Sequence, residues 1–93
     1  MYELSYAPRF LAAAKRCKRQ GKDMSLLWDA VRILMEEGSL PASYSPHVLH
    51  GEYAGYWECH IEDDWLLIWK QNDNKLTLVL TNLGSHSELF RKK

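Results

Sequence analysis

Three histidines and an aspartate in the second half of the chain, His47, His60, His86 and Asp64, are residue types that acid–base chemistry uses. Two phrases carry them. The first runs from His47 to Lys70 as H-V-L-H-G-E-Y-A-G-Y-W-E-C-H-I-E-D-D-W-L-L-I-W-K, and the second from Thr81 to Phe90 as T-N-L-G-S-H-S-E-L-F. Imidazoles exchange protons near neutral pH, so several of them placed by one small scaffold point to proton-transfer chemistry. A carboxylate beside an imidazole favours its charged form and fixes its orientation.

The elements that must position these groups follow from periodicity. Tyr2 to Tyr6 is a short strand candidate. Pro8 suits a first helical turn, and Phe10, Leu11, Ala14 and Cys17 recur at helical spacing, so residues 8–20 are expected to form a helix. Gly21 ends it. Asp23 is a fitting N-cap for a second helix whose inward stripe is Leu27, Ala30, Val31 and Leu34 and which stops at Gly38, making a helix hairpin. Residues 39–55 are turn-rich, with Pro41, Pro46, Gly51 and Gly55. Strands are expected over Tyr56 to Ile61, Trp65 to Lys70 and Leu76 to Leu83, joined at Glu62-Asp63-Asp64 and Asn72-Asp73-Asn74. The result is an α+β fold: a helix hairpin on one face of a small, mainly antiparallel meander, the N-terminal strand added as an edge, and a short C-terminal helix.

In this frame the four groups can converge. Alternation puts Trp57, Cys59 and Ile61 on one face of their strand and Tyr56, Glu58 and His60 on the other. If the first set packs under the helices, His60 faces the open side, with Asp64 at the adjoining hairpin end. Ser85-His86-Ser87-Glu88 fits a capping box and puts His86 at the first position of a terminal helix. The positive end of a helix disfavours a second positive charge, which favours a neutral imidazole able to act as a base. The plainer alternative is a cap carrying an exposed histidine. His47 lies just before the meander and His86 just after it, so both can reach the open face if the strands are neighbours.

Composition sets the bounds. The chain of 93 residues is expected to be one domain spanning 1–93, 46% hydrophobic and 26% charged. That length buries roughly 60–65% of its extended-chain surface. Four tryptophans, Trp28, Trp57, Trp65 and Trp69, enlarge a small core, and at least two of them are expected to pack there. Cys17 and Cys59 do not make a disulfide scaffold. The start M-Y-E-L-S-Y-A-P has no basic, apolar leader pattern and no run is long enough to span a bilayer, so a reduced, cytoplasmic protein without membrane contact is expected. Formal net charge is zero. Arg9, Lys15, Arg16, Lys18, Arg19 and Lys22 nevertheless cluster early, and Arg91-Lys92-Lys93 end the chain, which permits local phosphate contacts although a helix face that is simply solvated explains the first group equally well. His47, His50, Cys59 and His60 do not have a recognised zinc-ligand spacing, and Cys59 is expected to face the core, so neither metal nor cofactor is expected.

The spaced set H-x-L-x-G from His47, H-x-x-x-D-W from His60 and G-x-H-x-x-L-F from Gly84 resembles the RelE/ParE superfamily of bacterial toxins, and within it the YafQ branch. The likeness also takes in K-D-M at Lys22 to Met24 and L-P-A-S-Y-S-P-H-V-L from Leu40 to Leu49. It implies the toxin of a type II toxin–antitoxin system: a ribosome-dependent endoribonuclease that cuts messenger RNA in the ribosomal A site, without a metal, and is restrained by a cognate antitoxin. DNA contact is then expected only through the antitoxin complex. Carried over by residue, the resemblance marks His47, His60, Asp64 and His86 as catalytic, and Trp65 and Phe90 as substrate contacts, with Lys70 and Arg91 expected to join them. His86 and His60 are expected to move protons, Asp64 to orient them or share that work, and His47 to contact the phosphate. Which histidine is acid and which base stays open. A non-catalytic ParE-like toxin that poisons DNA gyrase is the competing class, against which the full histidine set argues; an inactive relative is another.

Overall fold

The computed structural model describes residues 1–90, so Arg91 lies outside the described residues. The elements, in chain order, are β1 (Glu3–Tyr6), α1 (Pro8–Arg19), α2 (Met24–Glu37), a 3₁₀ turn (Ala42–Tyr44), β2 (His47–Val48), a second 3₁₀ turn (Gly51–Tyr53), β3 (Trp57–Glu62), β4 (Trp65–Asn72), β5 (Thr77–Gly84) and α3 (His86–Leu89). Helix α1 starts on Pro8, which has no N–H to leave unsatisfied. Helix α2 starts on Asp23, whose carboxylate accepts from the Ser25 backbone N–H at 3.0 Å. It stops at Gly38, in the left-handed region with φ 72°, where a β-carbon would come within 2.6 Å of the Tyr2 ring.

The five strands form one sheet in the order β1-β5-β4-β3-β2. Strand β1 pairs parallel with β5, and the other three pairings are antiparallel. The α+β fold with its helix hairpin, edge strand and short terminal helix is therefore as the residue pattern predicts. Two local features beside the histidines are not. Residues 39–55 contain β2, whose two residues pair His47 with Glu58 and Val48 with Trp57. A two-residue strand between prolines and glycines has no alternation to read. The β3–β4 register also shifts between His60 and Glu62, a bulge of the kind that re-aims side chains beside functional sites.

Burial divides by face. Phe10, Ala13 and Cys17 of α1 and Leu27, Ala30, Val31 and Leu34 of α2 pack on Cys59, Trp65, Leu67, Trp69, Leu78, Leu80 and Leu83 of the sheet. Trp57 stacks on the buried Trp69 with ring centroids 6.0 Å apart, whereas Trp28 is exposed. The other face carries a smaller cluster of Leu66, Ile68 and Leu89 with Leu49, Tyr53 and Tyr56 around it. That face is left uncovered by the helix hairpin and holds the histidines. Among the described residues no helix is long and apolar enough to cross a membrane.

Candidate active site

The short helix α3 is built as its sequence directs. The Ser85 hydroxyl accepts from the Glu88 backbone N–H, and the Glu88 carboxylate accepts from the Ser85 N–H at 2.8 Å, closing the capping box. Helix α1 braces this cap. Arg16 donates to the Leu83 carbonyl at 2.8 Å and pairs with Glu88 at 3.3 Å, and the Gln20 amide also donates to Glu88. The Ser85 N–H bond, with the Gln20 amide and the Arg16 guanidinium, holds the Glu88 carboxyl below its ordinary range. Arg16 is therefore neither part of a simply solvated helix face nor a free phosphate contact; it fixes the element that carries His86.

His86 stands at the first position of α3, and both its backbone N–H (2.8 Å) and its Nδ1 (2.7 Å) meet the same Asp64 oxygen. The backbone bond first, the ring bond next, and the charges of the His86 ring and the Lys22 ammonium hold the Asp64 carboxyl below its usual range. An ionised carboxylate can only accept, so Nδ1 carries the proton and Nε2 is left for a substrate. This is the division of labour by which a carboxylate sets the working tautomer of a histidine. The pair stays open, with side-chain exposures of 55% for His86 and 64% for Asp64. Of the two histidines expected to move protons, Asp64 pairs with His86. His60 comes to the site from β3, its ring centroid 5.7 Å from that of His86.

His47 sits one strand further out on the same face. Its Nδ1 donates to the Ser45 carbonyl at 2.9 Å, and its Nε2 lies 3.0 Å from Oε1 of Glu58, its cross-strand partner. Glu58 joins the histidines on this face without belonging to the expected set, although alternation puts it two residues from His60 on the same side. It is 3% exposed, and no donor among the described residues reaches its Oε2. A buried carboxylate that depends on one partner is costly to orphan. His47→Ala is therefore expected to lower stability by about 1–3 kcal/mol, and adding Glu58→Gln in that background should recover part of the loss; chemical denaturation of the two variants checks both.

The expected substrate contacts divide. Phe90 is exposed beside His86, ring centroids 6.5 Å apart. Lys70 is exposed on the same face, its ammonium 5.9 Å from the Tyr56 ring. Trp65 is a correction: its side chain is fully buried, and its indole N–H donates to the Cys17 sulfur at 3.3 Å. The tryptophan follows Asp64 because the first residue of β4 turns inward to the core and so anchors the hairpin end, and it has no surface to offer a substrate. Trp65→Ala should cost about 3–5 kcal/mol of stability, visible as a lowered denaturation midpoint. His50 is exposed at the start of the second 3₁₀ turn. Cys59 faces the core, where burial pushes its thiol up to about 12, so it neither shares the face of His60 nor offers a thiolate at neutral pH. Among the described residues no cluster of His, Cys, Asp and Glu has the geometry to hold a metal ion.

Comparison with known proteins gives this arrangement a family. Residues 2–91 match the family model described as bacterial toxin of type II toxin-antitoxin system, YafQ. The chain is similar to the mRNA interferase toxin YafQ of Escherichia coli K12, 34% identical over 89 residues covering 95% of each chain. It is also similar to the crystal structure of YafQ from E. coli BL21(DE3), with a TM-score of 0.88, 31% identity and coverage of 97% of this chain and 99% of that one. YafQ in the crystal structure of the E. coli DinJ–YafQ complex aligns with a TM-score of 0.87 at 32% identity, covering 97% of this chain and 99% of that one. With a family match along nearly the whole chain and a shared fold at more than 30% identity, the chain belongs to the YafQ family of type II toxin–antitoxin toxins, within the RelE/ParE superfamily.

Proposed function

We propose that this toxin is a ribosome-dependent endoribonuclease that cuts messenger RNA in the A site by metal-independent acid–base catalysis, and that a cognate antitoxin restrains it. The observation that carries this reading is the Asp64–His86 pair, exposed on the open sheet face with the His60 ring 5.7 Å from that of His86. The similar E. coli mRNA interferase toxin YafQ, and its complex with DinJ, support the activity and the kind of partner.

In the mechanism, an RNA 2′-hydroxyl attacks the adjacent phosphorus and the bond to the 5′-oxygen breaks, leaving a 2′,3′-cyclic phosphate and a free 5′-hydroxyl. One histidine takes the 2′ proton and the other gives a proton to the departing oxygen, each transfer contributing typically ~10²–10⁴-fold. His86 and His60 fill these roles. Asp64 holds Nδ1 of His86 so that Nε2 faces the substrate. His47 has both ring nitrogens engaged, which suits it to meet a phosphate oxygen in place of the Ser45 carbonyl rather than to abstract a proton. Phe90, Lys70 and Arg91 contact the RNA. The ribosome supplies part of the in-line positioning.

Primer extension on a messenger under translation tests the reading. Discrete cuts within codons, dependent on ribosomes and suppressed by a co-expressed antitoxin, are expected. Intact messenger with toxicity retained would instead identify a non-catalytic toxin with a protein target.

A further inference from the structure

A second group of side chains adjoins the histidines on the open face. The guanidinium carbon of Arg9, on the first turn of α1, lies 5.3 Å from the centroid of the Tyr53 ring. Tyr53 is delivered by the 3₁₀ turn that Gly51 opens with φ 72°, and its hydroxyl accepts from the Asn82 amide of β5 at 3.3 Å. Its ring meets Phe90 nearly at right angles (84°) with centroids 5.8 Å apart, and Phe90 in turn lies 6.5 Å from His86. Rings and cation thus run without a break from the acid–base pair to Arg9. Arg9 and Phe90 are exposed and Tyr53 is half-buried, so the row is open to a ligand.

From this we infer that Arg9 and Tyr53 form the seat of the nucleotide next to the cleaved bond, with Phe90 as its second wall. The inference rests on the nuclease reading and extends it to residues that neither the family motifs nor the histidine set identify. The chemistry is that of an unpaired nucleotide. Two rings at a right angle make an apolar corner for a base, and a guanidinium held over one ring keeps its N–H edges for a phosphate. Stacking of this kind tolerates any base, so the seat positions the strand without selecting its sequence.

The test uses programmed ribosomes carrying a messenger that is 2′-O-methylated throughout the A-site codon, so that it binds uncut, with 2-aminopurine placed in turn at each base of that codon and at the next one. Wild-type toxin is expected to quench the probe at one position. Tyr53→Ala and Arg9→Ala should lose the quench while still co-sedimenting with ribosomes, and Tyr53→Phe should keep it. On unmodified messenger, Tyr53→Ala should raise the half-saturating concentration roughly ten-fold or more with little change in the rate at saturation, a split that a merely structural tyrosine would not produce. Arg9→Ala should flatten the dependence of log affinity on log salt by about 0.7. An unchanged quench in both alanine variants, or none in the wild type at any position, overturns the inference. Failure of the nuclease reading shows separately, as intact unmodified messenger with the wild-type toxin.

Discussion

His86→Ala is expected to slow cleavage of translated messenger by about 10²–10⁴-fold while leaving the fold in place. The substitution removes the ring and its Nε2 but keeps the backbone N–H that donates to Asp64, and it leaves the Ser85–Glu88 capping box untouched. The backbone bond does most to hold the Asp64 carboxyl below its usual range, so the carboxylate stays anchored without the imidazole. Single-turnover cleavage on programmed ribosomes, beside a thermal melt of the same variant, separates the two effects: the rate should fall and the melt should barely move. A rate within a few-fold of wild type would remove His86 from the chemistry.

Asp64→Ala should produce the other large effect, a loss of about 10²-fold or more. One carboxylate oxygen receives both the backbone N–H and Nδ1 of His86. Without it, nothing fixes the tautomer, and the negative charge that favours the imidazolium formed during the reaction is gone. Asp64→Asn separates these contributions, since its amide oxygen can still accept both bonds while the charge is lost; its rate should fall between wild type and alanine. The pH dependence has a defined sign. The folded-state value of Asp64 is depressed, so its contribution to stability is present above the ordinary carboxylate range and is lost as pH falls through the depressed value. The stability gap between wild type and Asp64→Asn should therefore be full near neutral pH and close in acid, as urea denaturation at several pH values will show.

Much of this could be read from the residues because local rules and the global fold agree. Helical periodicity, Pro8, Asp23 and Gly38 mark the hairpin, and alternation along Trp57–Glu62 separates Cys59 from His60. The capping box puts His86 at the start of α3 before any tertiary contact is known. What could not be read depends on cross-strand register. A strand as short as His47–Val48 leaves no periodic trace, so the His47–Glu58 pair emerges only from its pairing with β3. The partner of Asp64 is set by β5 lying beside β4, which brings α3 to the β3–β4 hairpin. Trp65 shows the limit of carrying roles over by motif: the residue type matches, but its inward turn at the start of β4 gives it a place in the core.

The most direct test of the acid–base account is chemical, and it is made on the RNA. Cleavage should be compared on two ribosome-bound messengers that differ only in whether the nucleotide preceding the cut carries a 2′-hydroxyl or a hydrogen. A 2′,3′-cyclic phosphate and a 5′-hydroxyl are expected from the first messenger, and the second should stay uncut. Cleavage of the 2′-deoxy messenger at the same bond, or fragments beginning with a 5′-phosphate, would contradict it, because the attacking oxygen would then come from water and not from the substrate.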